Sequence, residues 1–189
     1  MNNNTRTSQS PTWVLQTLMF FKRHYLIVLA LGMAAAMGRV IQLGALGPIS
    51  PVLHLALEII IEGARLMIFV YALGLTNVRK GFGRIRQILT KSGAWKSNWS
   101  IAKTRLKRDW RSLLASMVIY LLIAWVINLL IDYTAYQTCL YYKLKVNSII
   151  SEGASEWVII LFFKNLSVIP LTLIFNALFL LWITGRAKN

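Results

Sequence analysis

Thiols and imidazoles are what this chain has least of. It contains one cysteine, Cys139, and two histidines, His24 and His54. A single cysteine excludes an intrachain disulfide and a thiolate metal cluster, and two histidines leave transition-metal chemistry short of donors. Acids are scarce too. Six Asp and Glu stand against 21 Lys and Arg, giving a net charge of +15. Catalytic motifs are also missing: there is no GxSxG elbow, no HExxH pair and no Walker loop. Gly81-Phe82-Gly83 lacks the strand and helix that a nucleotide loop needs. The expectation is a protein that is not an enzyme, with no catalytic residues, no metal and no cofactor.

What is abundant is apolar surface. The chain has 189 residues, 57% of them hydrophobic, and a positive mean hydropathy. That is the composition of a small polytopic membrane protein rather than a soluble domain. In a soluble protein the charge would point to nucleic acid. Here the basic residues gather beside apolar runs, where they set membrane orientation.

The organising stretch is Pro51 to Leu75. Its 25 residues, at about 1.5 Å each, exceed a hydrocarbon core of roughly 30 Å. It nevertheless carries His54, Glu58, Glu62 and Arg65, spaced four, four and three, which form one helical stripe. A large apolar residue contributes about 0.3 to 0.6 kcal/mol to insertion, and a central charge costs roughly 2.5 to 3.5. Such a helix is stable in a bilayer only if its stripe faces protein or water.

Around it the chain reads as follows. Residues 1–24 form a flexible and interfacial segment, with a short helix from Thr12 to Phe21 ending at Lys22, Arg23 and His24. Residues 25–184 form one membrane domain, with spans at about 25–46, 51–75, 112–132 and 157–184. Gly32, Ala34, Ala35, Ala36 and Gly38 let the first span approach its neighbours closely. A cleaved secretory signal is the rival reading of that span, with Lys22 and Arg23 as its basic region. The turn GALGPISP makes the first two spans an antiparallel hairpin. Pro170 kinks the fourth span.

Residues 77–111 hold Arg79, Lys80, Arg84, Arg86, Lys91, Lys96, Lys103, Arg105, Lys107, Arg108 and Arg111 against one acid, Asp109. The positive-inside rule makes this loop cytoplasmic. Val78, Phe82, Ile85 and Leu89 mark an amphipathic helix within it, and Lys91 to Asn98 reads as a break. Residues 133–156 balance Lys143 and Lys145 with Glu152 and Glu156, which suits an outer loop. The expected fold is all-α: an integral membrane four-helix bundle, both termini inside, with short interfacial helices in the N-terminal segment and the cytoplasmic loop. The expected location is a multi-pass position in a bacterial inner membrane.

Arg39, Glu58 and Lys164 each lie about seven residues from the outer end of a span, so they share a depth. Arg39, His54, Glu58, Glu62, Arg65, Asn128, Asp132, Lys164 and Asn165 make up the expected buried polar cluster. Three readings of it stand side by side: a structural clasp, a path for ions or protons, and a metal site on His54, Glu58 and Glu62. The last is strained, because those residues spread along some 12 Å of helix rise. Arg79, Lys80, Arg84, Arg86, Lys103, Arg105, Lys107, Arg108 and Arg111 are the expected contacts for anionic lipid headgroups, or for a cytoplasmic protein or nucleic acid. The functional expectation is an ion-conducting or membrane-permeabilising subunit or effector, able to form a homo-oligomer and controlled through the basic loop. The alternative is a non-conducting adaptor that anchors a partner.

Overall fold

The computed structural model describes residues 13–90 and 94–184, and the side chains of 13–87 and 99–184. The N-terminal tail, Lys91, the Lys96 and Trp95 side chains, Arg186 and Lys188 lie outside the described residues. Within them all regular structure is helical: α1 (Trp13–Arg23), α2 (Tyr25–Gln42), α3 (Pro51–Leu73), α4 (Val78–Thr90), α5 (Ala94–Tyr136), α6 (Leu140–Val146), α7 (Trp157–Leu166) and α8 (Val168–Ile183).

Three segments are long and apolar enough to cross a membrane: Tyr25–Gln42, Trp99–Tyr136 and Trp157–Ile183. Pro51–Leu73 joins them as a fourth when taken with Val78–Gln87, across a bend of 86°. By length and composition these helices are compatible with a multi-pass membrane protein.

α3 is the hub, packing on α2, α8 and α4. Its start is written locally. Pro51 occupies the first turn, where its missing amide hydrogen is no loss, and the Ser50 hydroxyl accepts from the Leu53 amide at 3.3 Å. α2 lies close because its contact face is small: a side chain at Gly38 would crowd Ile61 on α3, and one at Gly32 would crowd the Asn165 carbonyl on α7. Val28, Ile68, Ala72, Leu73, Ile174, Ala177 and Leu181 then close the main core between α2, α3 and α8.

The last span is broken where proline chemistry requires it. The Pro170 ring crowds the carbonyl four residues back, at Leu166, and offers it no donor. The chain leaves helical geometry at Ser167, with φ −126° and ψ −81°, three residues before the proline itself. The Ser167 hydroxyl donates to the Phe163 carbonyl at 2.7 Å.

One expectation is corrected here. The stretch Lys91–Asn98 is not a break throughout, because helix resumes at Ala94. The expected third span, 112–132, lies within a helix of 43 residues that leaves helical geometry only at Asp109 (φ −113°, ψ 16°). Good helix formers (Ala102, Lys103, Arg105, Leu106, Lys107 and Arg108) carry it through the basic region. The segment 133–156 connects α5 to α7. It contains α6, and its Ser151 folds back on the α2–α3 turn, the amide on the Ala45 carbonyl at 2.7 Å and the hydroxyl on the Gly44 carbonyl at 2.6 Å.

α1, the start of α5 and the ends of α3 and α8 gather at one end of the molecule. There Trp13 meets Trp182 edge to face at 4.3 Å, and His24 Nδ1 lies 3.1 Å from the Tyr71 hydroxyl. The α2–α3 turn and Ser151 mark the opposite end.

Candidate functional site

Three helices meet around one polar network. On α2, Arg39 and Gln42 are three residues apart and share a face. On α3, Glu58, Glu62 and Arg65 follow at four and three. From the end of α7 comes Asn165, 1% exposed.

Arg39 Nη1 donates to Glu58 Oε2 at 3.0 Å and to Gln42 Oε1 at 2.8 Å. Gln42 Nε2 in turn donates to Glu58 Oε2 at 2.7 Å and to the His54 carbonyl at 2.9 Å. Arg39 Nη2 lies 3.6 Å from Glu62 Oε1, and Arg65 Nη1 meets that same oxygen at 2.5 Å. Arg65 continues the chain of contacts: its Nε and Nη2 both donate to Asn165 Oδ1, at 3.2 and 2.9 Å. Asn165 Nδ2 closes on the Leu161 carbonyl at 2.7 Å. Two guanidiniums and two carboxylates are thus joined with balanced charge, and Arg65 ties α3 to α7. Removing one member strands its partners, and a stranded ion in a poorly solvated place is costly.

The network is closed on one side and open on the other. The side chains of Arg39 and Arg65 are 20% and 19% exposed, whereas Glu58 is 39% and Glu62 53% exposed. Of the expected buried cluster, Glu58 and Glu62 are thus among the more open members. α2 and α7 cover the guanidiniums, but Glu62 sits where the stripe runs into the exposed side of α3, beside Ile59 and Leu66.

Several expected members stand apart. His54 is exposed, and only its backbone carbonyl touches the network. Lys164 neighbours Asn165 in sequence, but successive helical residues point about 100° apart, and it forms no ion pair among the described residues. Asn128 donates to its own helix, to the Ala124 carbonyl at 2.8 Å. Asp132 shares α5 with it; that helix packs on α7 and α8 rather than on the α2–α3 contact, and Asp132 has no ion pair among the described residues. Among the described residues no three His, Cys, Asp or Glu side chains gather as metal ligands. Gln42 escaped the sequence reading, although its place three residues after Arg39 on one helical face was a usable signal.

At the other end the basic residues divide into two kinds. Arg84 donates to the Leu73 carbonyl at 2.6 Å and Arg105 to the Trp182 carbonyl at 2.6 Å. Each places a cation on the carbonyl-rich C-terminal end of a long helix, where the dipole favours it. These two, read from sequence as contacts for lipid or partner, are engaged with their own chain. Arg79, Lys80, Arg86, Lys103, Lys107, Arg108 and Arg111 are exposed. Arg108 pairs with Asp109 at 3.0 Å, and Arg111 lies 5.5 Å from the Trp110 ring centre. Lys103, Thr104, Lys107 and Arg108 line a shallow surface cleft. Burial, and secondly the Arg23 charge, hold the His24 imidazole below its ordinary pKa.

No protein-family model, no curated protein and no solved structure matches this chain.

Proposed function

We propose that this protein is a subunit of an ion-conducting assembly in a bacterial inner membrane. It spans four times as a helical bundle, with both termini and residues 77–111 on the cytoplasmic side. The observation that carries the reading is the half-exposed carboxylate edge of α3. Glu62, at 53% exposure, lies about eleven residues into the helix, roughly 16 Å from its start and so near mid-bilayer. An ionised group there belongs beside water or protein. A shared axis between copies provides both, with the carboxylates turned to the path and Arg39 and Arg65 holding them from behind. The basic helices α4 and α5 receive the controlling signal, through anionic lipid or an acidic partner, and no catalytic step is involved.

Ion flux from proteoliposomes tests this. Wild type leaks a monovalent cation, and Glu62→Gln reduces the leak without loss of protein from the vesicles. A silent wild type overturns the reading. A second reading has its own support: both carboxylates of the network already have guanidinium partners, as a structural clasp would. On that reading the protein is a non-conducting adaptor, and it pulls down a partner through the exposed basic helices while passing no ions.

A further inference from the structure

Five residues on α3 form a continuous outer seam: Val52, Leu55, Ile59, Glu62 and Leu66, spaced three, four, three and four. The four apolar members are 79%, 64%, 67% and 50% exposed, in that order. This is the spacing by which two helices pack along a left-handed seam. Glu62 is its single polar member, and it is the half-exposed carboxylate of the ion network. Flanking the seam are two small residues seven apart, Ala56 and Gly63. Gly63 is unexplained by this chain alone. A side chain there would meet nothing within 4 Å, whereas one at Gly38 or Gly32 would strike a neighbouring helix. A glycine inside a helix is less favourable than alanine, and no contact among the described residues offsets it here.

We propose that a second copy of this chain occupies the seam, α3 against α3. Copies inserted with the same orientation present equal residues at equal depth, so the contact is parallel and two-fold. Gly63 and Ala56 let the backbones approach. Glu62 of each copy comes to the shared surface, held from behind by Arg39 and Arg65 of its own chain. Arg39 is its looser partner, at 3.6 Å, and leaves the carboxylate able to accept from across the interface. A single polar residue within such a seam fixes register, because any slip strands it against apolar side chains. The second copy is favoured over an unrelated helix because it presents an equal, charge-balanced ion network at that depth.

The inference rests on the assembly proposed above and names its contact surface, so the test separates the two. In a Cys139→Ser background, single cysteines at Val52, Leu55, Ile59 and Leu66 are oxidised in membranes, with Leu122→Cys and Leu130→Cys on α5 as controls. Disulfide dimers at the seam positions and none at the controls support the contact. No seam dimers, or equal dimers at the controls, overturn it. Gly63→Leu, which the single chain accommodates, abolishes the Ile59→Cys dimer; an unchanged dimer overturns the close approach. Flux is measured on the same preparations. Seam dimers without flux keep this interface and discard conduction. Flux without seam dimers does the reverse.

Discussion

α3 and α5 solve the same problem in opposite ways. α5 keeps most of its charges at one end: Lys103 to Arg111 form a basic block interrupted by Asp109, Asp132 is the one charge beyond it, and the following turns expose Leu114, Val118, Leu121, Leu122, Trp125 and Leu129. Such a helix has less need of neighbours, and beyond the basic block it meets α7 through Ile131 and Ala135 and α8 through Tyr120. α3 carries its charges in the middle. Alone it would be a poor membrane helix, and it is therefore built into α2 and α7 through Arg39, Gln42 and Asn165. The difference teaches that hydropathy identifies a helix able to live in lipid, while misplaced charge identifies the helix around which others must assemble.

The sharpest way to break the contrast is to empty the network. Arg65→Leu leaves Asn165 Oδ1 and Glu62 without their donor and lowers unfolding stability by about 3 kcal/mol. The same readout, denaturant midpoints in bicelles, places Leu122→Ala on α5 within about 0.5 kcal/mol of wild type. Loss of similar size in both would erase the distinction. Gly32→Leu forces α2 from α7 at the Asn165 carbonyl and costs about 2 kcal/mol, again with no counterpart on α5.

A smaller effect lies at the elbow below α3. Leu75 and Thr76 both hold positive φ, 47° and 81°, and a β-branched residue rarely tolerates that. Thr76→Gly raises stability by about 1 kcal/mol and leaves the α3–α4 bend in place. The smallest effect is titration at His24. Its folded pKa lies below the ordinary 6.5, so the folded protein binds this proton less readily than the unfolded chain. Its contribution is fully present above pH 6.5 and is lost as pH falls through the lowered folded value. Stability against pH flattens in His24→Phe, which keeps the ring contacts to Phe20 and Tyr71.

Much of the helical content was legible because span-length apolar runs and the Ser50-Pro51 start are local signals. The α3 stripe was legible too, since four residues at helical spacing need no tertiary knowledge. The partners were harder. Lys164 and Asn165 looked equivalent by depth, and only the rotation of α7 selects Asn165. Asp132 was grouped with the cluster because a span's sequence does not say which helices it touches. Arg84 and Arg105 read as surface cations because the carbonyls they reach lie on helix ends 11 and 77 residues away. In the basic segment the helix over Val78 to Leu89 was legible from its spacing, whereas the continuation of α5 through Lys103 to Arg111 was not, because that stretch has strong helix formers but no clear apolar period.

The central claim is that the misplaced charges of α3 are satisfied by neighbouring helices, and a double-mutant cycle tests it most directly. Arg65→Leu, Asn165→Leu and the double variant are unfolded under one set of conditions. A coupling of about 1 to 2 kcal/mol is the predicted result. Effects that simply add, within about 0.3 kcal/mol, would contradict it.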